Sequence, residues 1–261
     1  MTLATGALLF LAAVAGGALN SVAGGGSFVA FPALLFAGVP AVRANATNTI
    51  ALWPGSVASA FAYRRELASV RATLWPMAAA SLAGGLCGSL LLLRTSDQTF
   101  VRLVPWLLLF ATLLFSFGGR VARRLARADR GAKNGGGTGM WVAVTAQLAI
   151  AFYGGYFGGG MGIMMLAVLT LLGMTRIHEM NALKNVLGAF INGVAVAAFV
   201  VAGAVAWRQG TVMVAGGMTG GYLGAALARR TDPRYVRALV LVIAWAMTAY
   251  FFVRTYIWRA W

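Results

Sequence analysis

Gly24-Gly25-Gly26-Ser27-Phe28 is the stretch that decides how this chain is read. A long apolar run, 3–22, ends at these glycines, and a short one, 28–38, follows them. Next come a polar knot, Asn45-Ala46-Thr47-Asn48-Thr49, and then Pro54-Gly55-Ser56. Glycine in a helix interior costs about 1 kcal/mol relative to alanine, so three in a row predict a break. The short run rises through only about half of a ~30 Å hydrocarbon core, at roughly 1.5 Å per residue. Something polar is therefore expected at membrane depth, either the glycines or the asparagine knot. Irregular backbone is tolerated there only when it is buried in protein or lines a cavity. The stretch reads as a broken helix beside a binding cavity.

Composition sets the class. The chain has 261 residues, of which 61% are hydrophobic and 10% charged, with a mean hydropathy of +0.82. A soluble domain is about a quarter charged, so this is an integral membrane protein. Apolar runs recur along the whole length and leave no separate soluble domain. The first run lacks a basic n-region and reads as mature protein, not as a signal peptide. A net charge of +16 would suggest nucleic acid in a soluble chain. Here the arginines flank apolar runs, where they anchor to headgroups and set orientation, so no nucleic-acid partner is expected. Cys87 is the lone cysteine and reads as a small core residue. With a single histidine, His178, and no zinc-ligand cluster, neither a metal site nor a cofactor is expected.

The pattern predicts helices at about 3–22, 28–38, 47–63, 72–93 and 99–119, then a polar linker, then helices at about 140–157, 161–173, 180–206, 211–228 and 236–253. The second series repeats the first. Gly24-Gly25-Gly26 is answered by Gly158-Gly159-Gly160, and Asn45–Asn48 by Asn181–Asn185. Gly84-Gly85-Leu86-Cys87-Gly88 is answered by Gly220-Gly221-Tyr222-Leu223-Gly224, and Asp97–Arg102 by Asp232–Arg237. Four matches in one order at nearly one offset indicate an internal repeat. The chain thus divides into a first transmembrane repeat, 1–119, a basic linker, 120–139, and a second repeat, 140–261.

The linker carries Arg120, Arg123, Arg124, Arg127, Arg130 and Lys133, which puts it on the cytoplasmic side. Five elements per half then place Arg64, Arg65, Arg71, Arg176, Arg229, Arg230, Arg234 and Arg237 inside as well. An odd number of elements inverts the second half relative to the first. The expected fold is therefore an all-α polytopic membrane protein of two inverted repeats, each of about five helical elements, with paired broken helices at the glycine motifs. Such halves meet at a substrate site in secondary transporters.

Polar residues sit inside the apolar runs. Ser27, Asn45, Thr47, Asn48 and Ser56 in the first half face Asn181, Lys184, Asn185 and Asn192 in the second as candidate substrate-binding residues. Gly24, Gly25, Gly26, Gly159 and Gly160 join them, because short helices starting after glycine runs present free N–H groups and a positive dipole end. Asn20, Ser21, Thr49, Ser59, Gln147, Tyr153 and Tyr156 complete the polar inventory. Polar side chains in membrane helices also bond helix to helix, and that reading stands for the isolated serines and threonines. The five acids, Glu66, Asp97, Asp129, Glu179 and Asp232, fall mostly in loops, which disfavours a cation pathway. The inventory points to a small oxyanion. His178 and Glu179 are candidates for proton coupling, or else simply residues at a helix start. Trp53, Trp75, Trp106, Trp141, Trp207, Trp258 and Trp261 read as an aromatic belt, and Met161, Met164, Met165, Met174 and Met180 as core filling.

Gly24 to Leu35, Ala46-Thr47-Asn48, Pro54-Gly55-Ser56 and Ala62-Tyr63-Arg64 together resemble the TauE/SafE family. The resemblance spans nearly the whole chain, although Lys184 stands where a neutral polar residue is usual. It implies a multi-pass permease of the bacterial inner membrane that exports sulfite or organosulfonates. The expected activity is secondary transport by alternating access, with no catalysis. An anion channel, or an importer of a sulfur anion such as thiosulfate, is the neighbouring reading. Expected partners are a small anion and membrane lipid, with a homodimer as an open arrangement.

Overall fold

The computed structural model describes residues 1–23, 25–62, 64, 66–128, 137–228 and 233–258. Gly24, the centre of the linker with Asp129, Arg130 and Lys133, the segment with Arg229, Arg230 and Asp232, and Trp261 lie outside the described residues. The described residues form ten α-helices and no strand: α1 Leu3–Ala23, α2 Ser27–Phe36, α3 Ala41–Ala62, α4 Arg71–Arg94, α5 Asp97–Ala128, α6 Gly137–Tyr156, α7 Met161–Leu171, α8 Ile177–Val201, α9 Trp207–Ala228 and α10 Pro233–Phe252. A 3₁₀ turn, Glu66–Val70, precedes α4, and a π-helical turn, Val253–Ile257, follows α10. Five helices are long and apolar enough to cross a membrane, through the stretches Leu3–Asn20, Thr73–Arg94, Asp97–Phe117, His178–Val201 and Ala238–Ile257. The chain is an all-α polytopic membrane protein.

The glycines make the breaks, and the asparagine knots do not. Helix α3 begins at Ala41 and α8 at Ile177, so both knots are helical. Threonine is tolerated in α3 because its hydroxyl bonds back to the preceding turn: Thr47 Oγ1 donates to the Arg43 carbonyl at 2.6 Å, and Thr49 Oγ1 to that of Asn45 at 2.9 Å. Helices α2 and α7 end alike. Gly38 and Gly173 take φ of +77° and +78°, and the next residues, Val39 and Met174, donate back to Leu34 and Leu169 at 3.0 and 3.1 Å. This six-to-one closure needs a left-handed residue, which glycine adopts without strain.

Residue pairings give the helix directions. Gly216 lies beside Phe10 and Gly220 beside Val14, so α1 and α9 run the same way. Gly84 lies beside Leu148 and Gly88 beside Phe152, so α4 and α6 also run together. Helix α3 follows α9, with Thr47 beside Gly210 and Ala51 beside Gly217. It opposes α8: Arg43 donates to the Gly203 carbonyl beyond the end of α8, while Trp53 Nε1 donates to that of Ala189 within it. Exchanging each helix for the one five places along maps the contacts onto each other. The pair α1–α9 becomes α6–α4, α3–α9 becomes α8–α4, and α2–α10 becomes α7–α5. Glycine sets the closest of these seams. A Cβ on Gly84 would stand 2.5 Å from the Leu148 carbonyl oxygen, and one on Gly216 2.5 Å from that of Phe10. Backbones this close gain van der Waals contact that a larger residue would block.

Two readings are corrected by packing. Cys87 is exposed on the outside of α4, not buried. Trp53 is half-buried in the α3–α8 seam and packs over Gly193 instead of joining a belt. Trp75, Trp106, Trp141, Trp207 and Trp258 are exposed, as a belt requires. The methionines do fill core: Met165 and Met180 are buried with Leu169, Leu183, Leu187 and Ile191, and Met161, Met164 and Met174 pack against them.

Candidate functional site

The two breaks differ in how the chain turns. At the first, α2 folds back along α1: a Cβ on Gly16 would stand 3.0 Å from the Gly26 carbonyl oxygen and 3.1 Å from Ala30 Cβ. The first amides of α2 are already used. Phe28 N donates to the Gly25 carbonyl at 3.1 Å, and Val29 and Ala30 N donate to that of Gly26 at 3.2 and 3.1 Å. The expected set of free N–H groups at this helix start is therefore reduced to those before Phe28. At the second break, Gly158 and Gly160 take φ of +82° and +78°. Tyr153 Oη, one turn back on α6, donates to the Gly159 carbonyl at 2.7 Å and holds the bend.

Between the breaks lies a cavity of about 100 Å³. Helix α1 contributes Asn20, α2 its first residue Ser27, and α3 Asn48, Thr49, Leu52 and Ser56. The second break and α7 contribute Phe157, Gly158, Met161, Gly162, Ile163, Met165 and Leu166. Helix α8 contributes Lys184, Asn185 and Asn192. Both halves of the repeat thus supply amides, and the second alone supplies a charge. Lys184 is half-buried, and its stem lies over Gly162, where a Cβ would meet Lys184 Cδ at 3.3 Å. Among the described residues no carboxylate lines the cavity. Asn48 Nδ2 donates to Ser27 Oγ at 3.1 Å, and its buried Oδ1 has no hydrogen-bond partner among the described residues. Turning this amide end for end lets Ser27 donate instead and frees an NH₂ for a bound acceptor.

Of the residues singled out from sequence, Ser27, Asn48, Ser56, Lys184, Asn185 and Asn192 come together here. The others sit elsewhere. Asn45 is buried and donates from Nδ2 to the carbonyl of Tyr156, the last residue of α6, at 2.9 Å. Thr47 Oγ1 accepts from Ala206 N at 3.0 Å and so ties α3 to the start of α9. Asn181 is half-buried in the first turns of α8, outside the lining. Gly25 and Gly26 are packing positions: a Cβ on Gly25 would stand 2.6 Å from Val240 Cγ1, and one on Gly26 2.9 Å from Asn20 Cβ. Gly159 packs under the Phe157 ring and Gly160 against Ala111. Gly24 lies outside the described residues. His178 is exposed, and Glu179 Oε1 accepts from exposed Arg176 at 2.9 Å, so neither residue reaches the cavity. Asp97 caps a helix, its Oδ1 accepting from Val42 N at 2.8 Å near the start of α3. Gly162 escaped the sequence reading, since a glycine one turn from a break carries no sign that a lysine lies across it.

Phe157 is one of the cavity's lining residues. Its ring packs edge-on to Phe31 at 5.8 Å, Phe31 packs on Phe100 at 6.3 Å, and Phe100 on Tyr156 at 5.7 Å. Leu35 and Val101, just along from Phe31 and Phe100, line a separate open groove of about 1000 Å³ with Asp97, Arg102 and Arg254. The aromatic cluster thus links a residue lining the cavity, Phe157, to the helices α2 and α5 that line the groove.

Ten helices joined by repeat-related contacts around a polar cavity define a multi-pass membrane transporter. The Sulfite exporter TauE/SafE family matches residues 9–251, and the chain belongs to that family. It is 29% identical over 93% of its length to a probable membrane transporter protein of Haemophilus influenzae, covering 92% of that protein. It is 30% identical over 92% of its length to the probable membrane transporter protein ORF9 of a Sinorhizobium species, covering 90% of it. It is 28% identical over 93% of its length to the probable membrane transporter protein YfcA of Escherichia coli K12, covering 87% of it. No solved structure matches the chain.

Proposed function

We propose that this transporter exports a small sulfur-containing oxyanion, sulfite or a small sulfonate such as sulfoacetate, across the inner membrane. The observation that carries the reading is the lining of the cavity: one lysine, four asparagines from its two sides and, among the described residues, no carboxylate. An ammonium and amide N–H groups favour an acceptor-only ligand with negative charge. The volume, about 100 Å³ where a single water needs roughly 10–15 Å³, suits a compact ion and excludes a large one. The family name supplies the sulfur chemistry.

Alternating access between inverted halves is the mechanism that the helix directions support. Helices α3 and α8, counterparts in the repeat, run in opposite senses. The aromatic cluster of Phe31, Phe100, Tyr156 and Phe157 is then the closed gate, and the groove beyond it the far vestibule. With the basic linker cytoplasmic, an inside-negative potential drives a bare anion outward by about 2.3 kcal/mol per charge per 100 mV.

The test is a thermal-shift panel in detergent with sulfite, thiosulfate, sulfoacetate, taurine and chloride, followed by counterflow in liposomes. Sulfite or sulfoacetate should stabilise the protein and exchange saturably. Asn48→Ala and Asn185→Ala should each weaken that stabilisation by about tenfold in ligand concentration, the worth of a hydrogen bond to a charged ligand. Stabilisation unchanged in both variants overturns the site, and an ohmic, non-saturating current makes the protein a channel.

A further inference from the structure

The cavity holds one titratable group. Lys184 enters from α8, and what faces it from α1, α2, α3, α7 and α8 is amide, hydroxyl or apolar: Asn20, Ser27, Asn48, Met161 and Asn185 stand for the set. Among the described lining residues, Lys184 is the only one with an ionisable side chain. An ammonium in such surroundings has no counter-ion in the cavity lining. A docked anion supplies the missing charge. The register that pairs Asn45 with Asn181 pairs Asn48 with Lys184, so the two halves hold one ionisable group between them and not two. His178 and Glu179, the sequence candidates for proton coupling, lie away from the cavity.

We propose that Lys184 couples proton movement to anion movement. This rests on the anion reading above and deepens it. The Nζ lone pair takes a proton from water as the anion docks, and the same N–H bond breaks as the anion departs on the other side. Each anion therefore travels with one proton, and the net charge moved is one unit less negative than that of the anion alone. No bond in the cargo changes and no electron is transferred.

The experiment titrates the purified full chain in detergent with sulfoacetate, a ligand of fixed charge across about pH 6 to 9. Affinity should fall about tenfold per pH unit once the empty-cavity lysine is neutral, since binding then takes up one proton. A pH-sensitive dye in weak buffer should register about one proton taken up per anion bound. Lys184→Arg keeps a charge that does not titrate, so both the slope and the proton uptake should vanish. Lys184→Met should lose them too, and an unchanged thermal unfolding transition without ligand certifies that each variant is folded. Wild-type binding with flat pH dependence and no proton uptake overturns the coupling and leaves the anion site standing. A slope that persists in Lys184→Arg also overturns it. Failure of every anion to bind the wild type at any pH overturns both the coupling and the site.

Discussion

At the first break Gly26 keeps a right-handed backbone, φ −59°, and is held by its contact with α1. At the second, Gly158 and Gly160 stand at φ +82° and +78° with more open surroundings. The two glycine runs thus serve two different needs. In the first half Gly26 is small, so that α2 can lie against α1. In the second Gly158 and Gly160 supply left-handed backbone, so that the chain can turn and be latched by Tyr153. The halves have also parted in chemistry. The first offers neutral amides and hydroxyls, Asn20, Ser27 and Asn48, and the second adds the only cation of the lining, Lys184. A repeat preserves topology because the helix contacts depend on it. It leaves each half free to change the groups that face the cavity.

That contrast can be broken at single residues. Gly26→Ala should do most damage, because its Cβ meets the Gly16 backbone and Asn20 Cβ, and neither is a flexible side-chain end. Overpacking of this kind costs typically 1–3 kcal/mol, and about 3 is expected here, read as a lowered unfolding temperature in detergent. Gly160→Ala should cost less, about 1–2 kcal/mol, because the penalty is the left-handed backbone while Ala111 stands at an ordinary 3.4 Å. A reversal of that ranking would mean that the two breaks are held in the same way. Tyr153→Phe should cost about 1 kcal/mol by removing the hydrogen bond to Gly159, with no counterpart loss at the first break. His178→Ala should change stability by less than about 0.5 kcal/mol and leave anion exchange as it was, since the residue is exposed at the start of α8. Slowed exchange in that variant would bring the helix start into the transport step.

Much of the fold was legible in the residues. Apolar runs bounded by arginine and glycine gave helix number and order. The expected start of the third helix at about 47 falls short of Ala41: Asn45 and Thr47 lie inside α3, where Asn45 bonds to the Tyr156 carbonyl of α6 and Thr47 to the Arg43 carbonyl one turn back. Cys87 looked buried because its neighbours are apolar, yet in lipid an apolar surface is the outside of the bundle.

By itself the sequence determined that the chain lies in a membrane and that short helices follow its glycine runs. Hydropathy, spacing and backbone freedom are local properties, so they can be read along the chain. Only the tertiary structure decided which polar residues meet. Asn45, Thr47 and Asn48 are near neighbours on α3, but successive helical residues point about 100° apart. One of them therefore ties down α6, one ties down α9 and one lines the cavity. That choice follows from how each helix is rotated against its neighbours, which long-range packing sets.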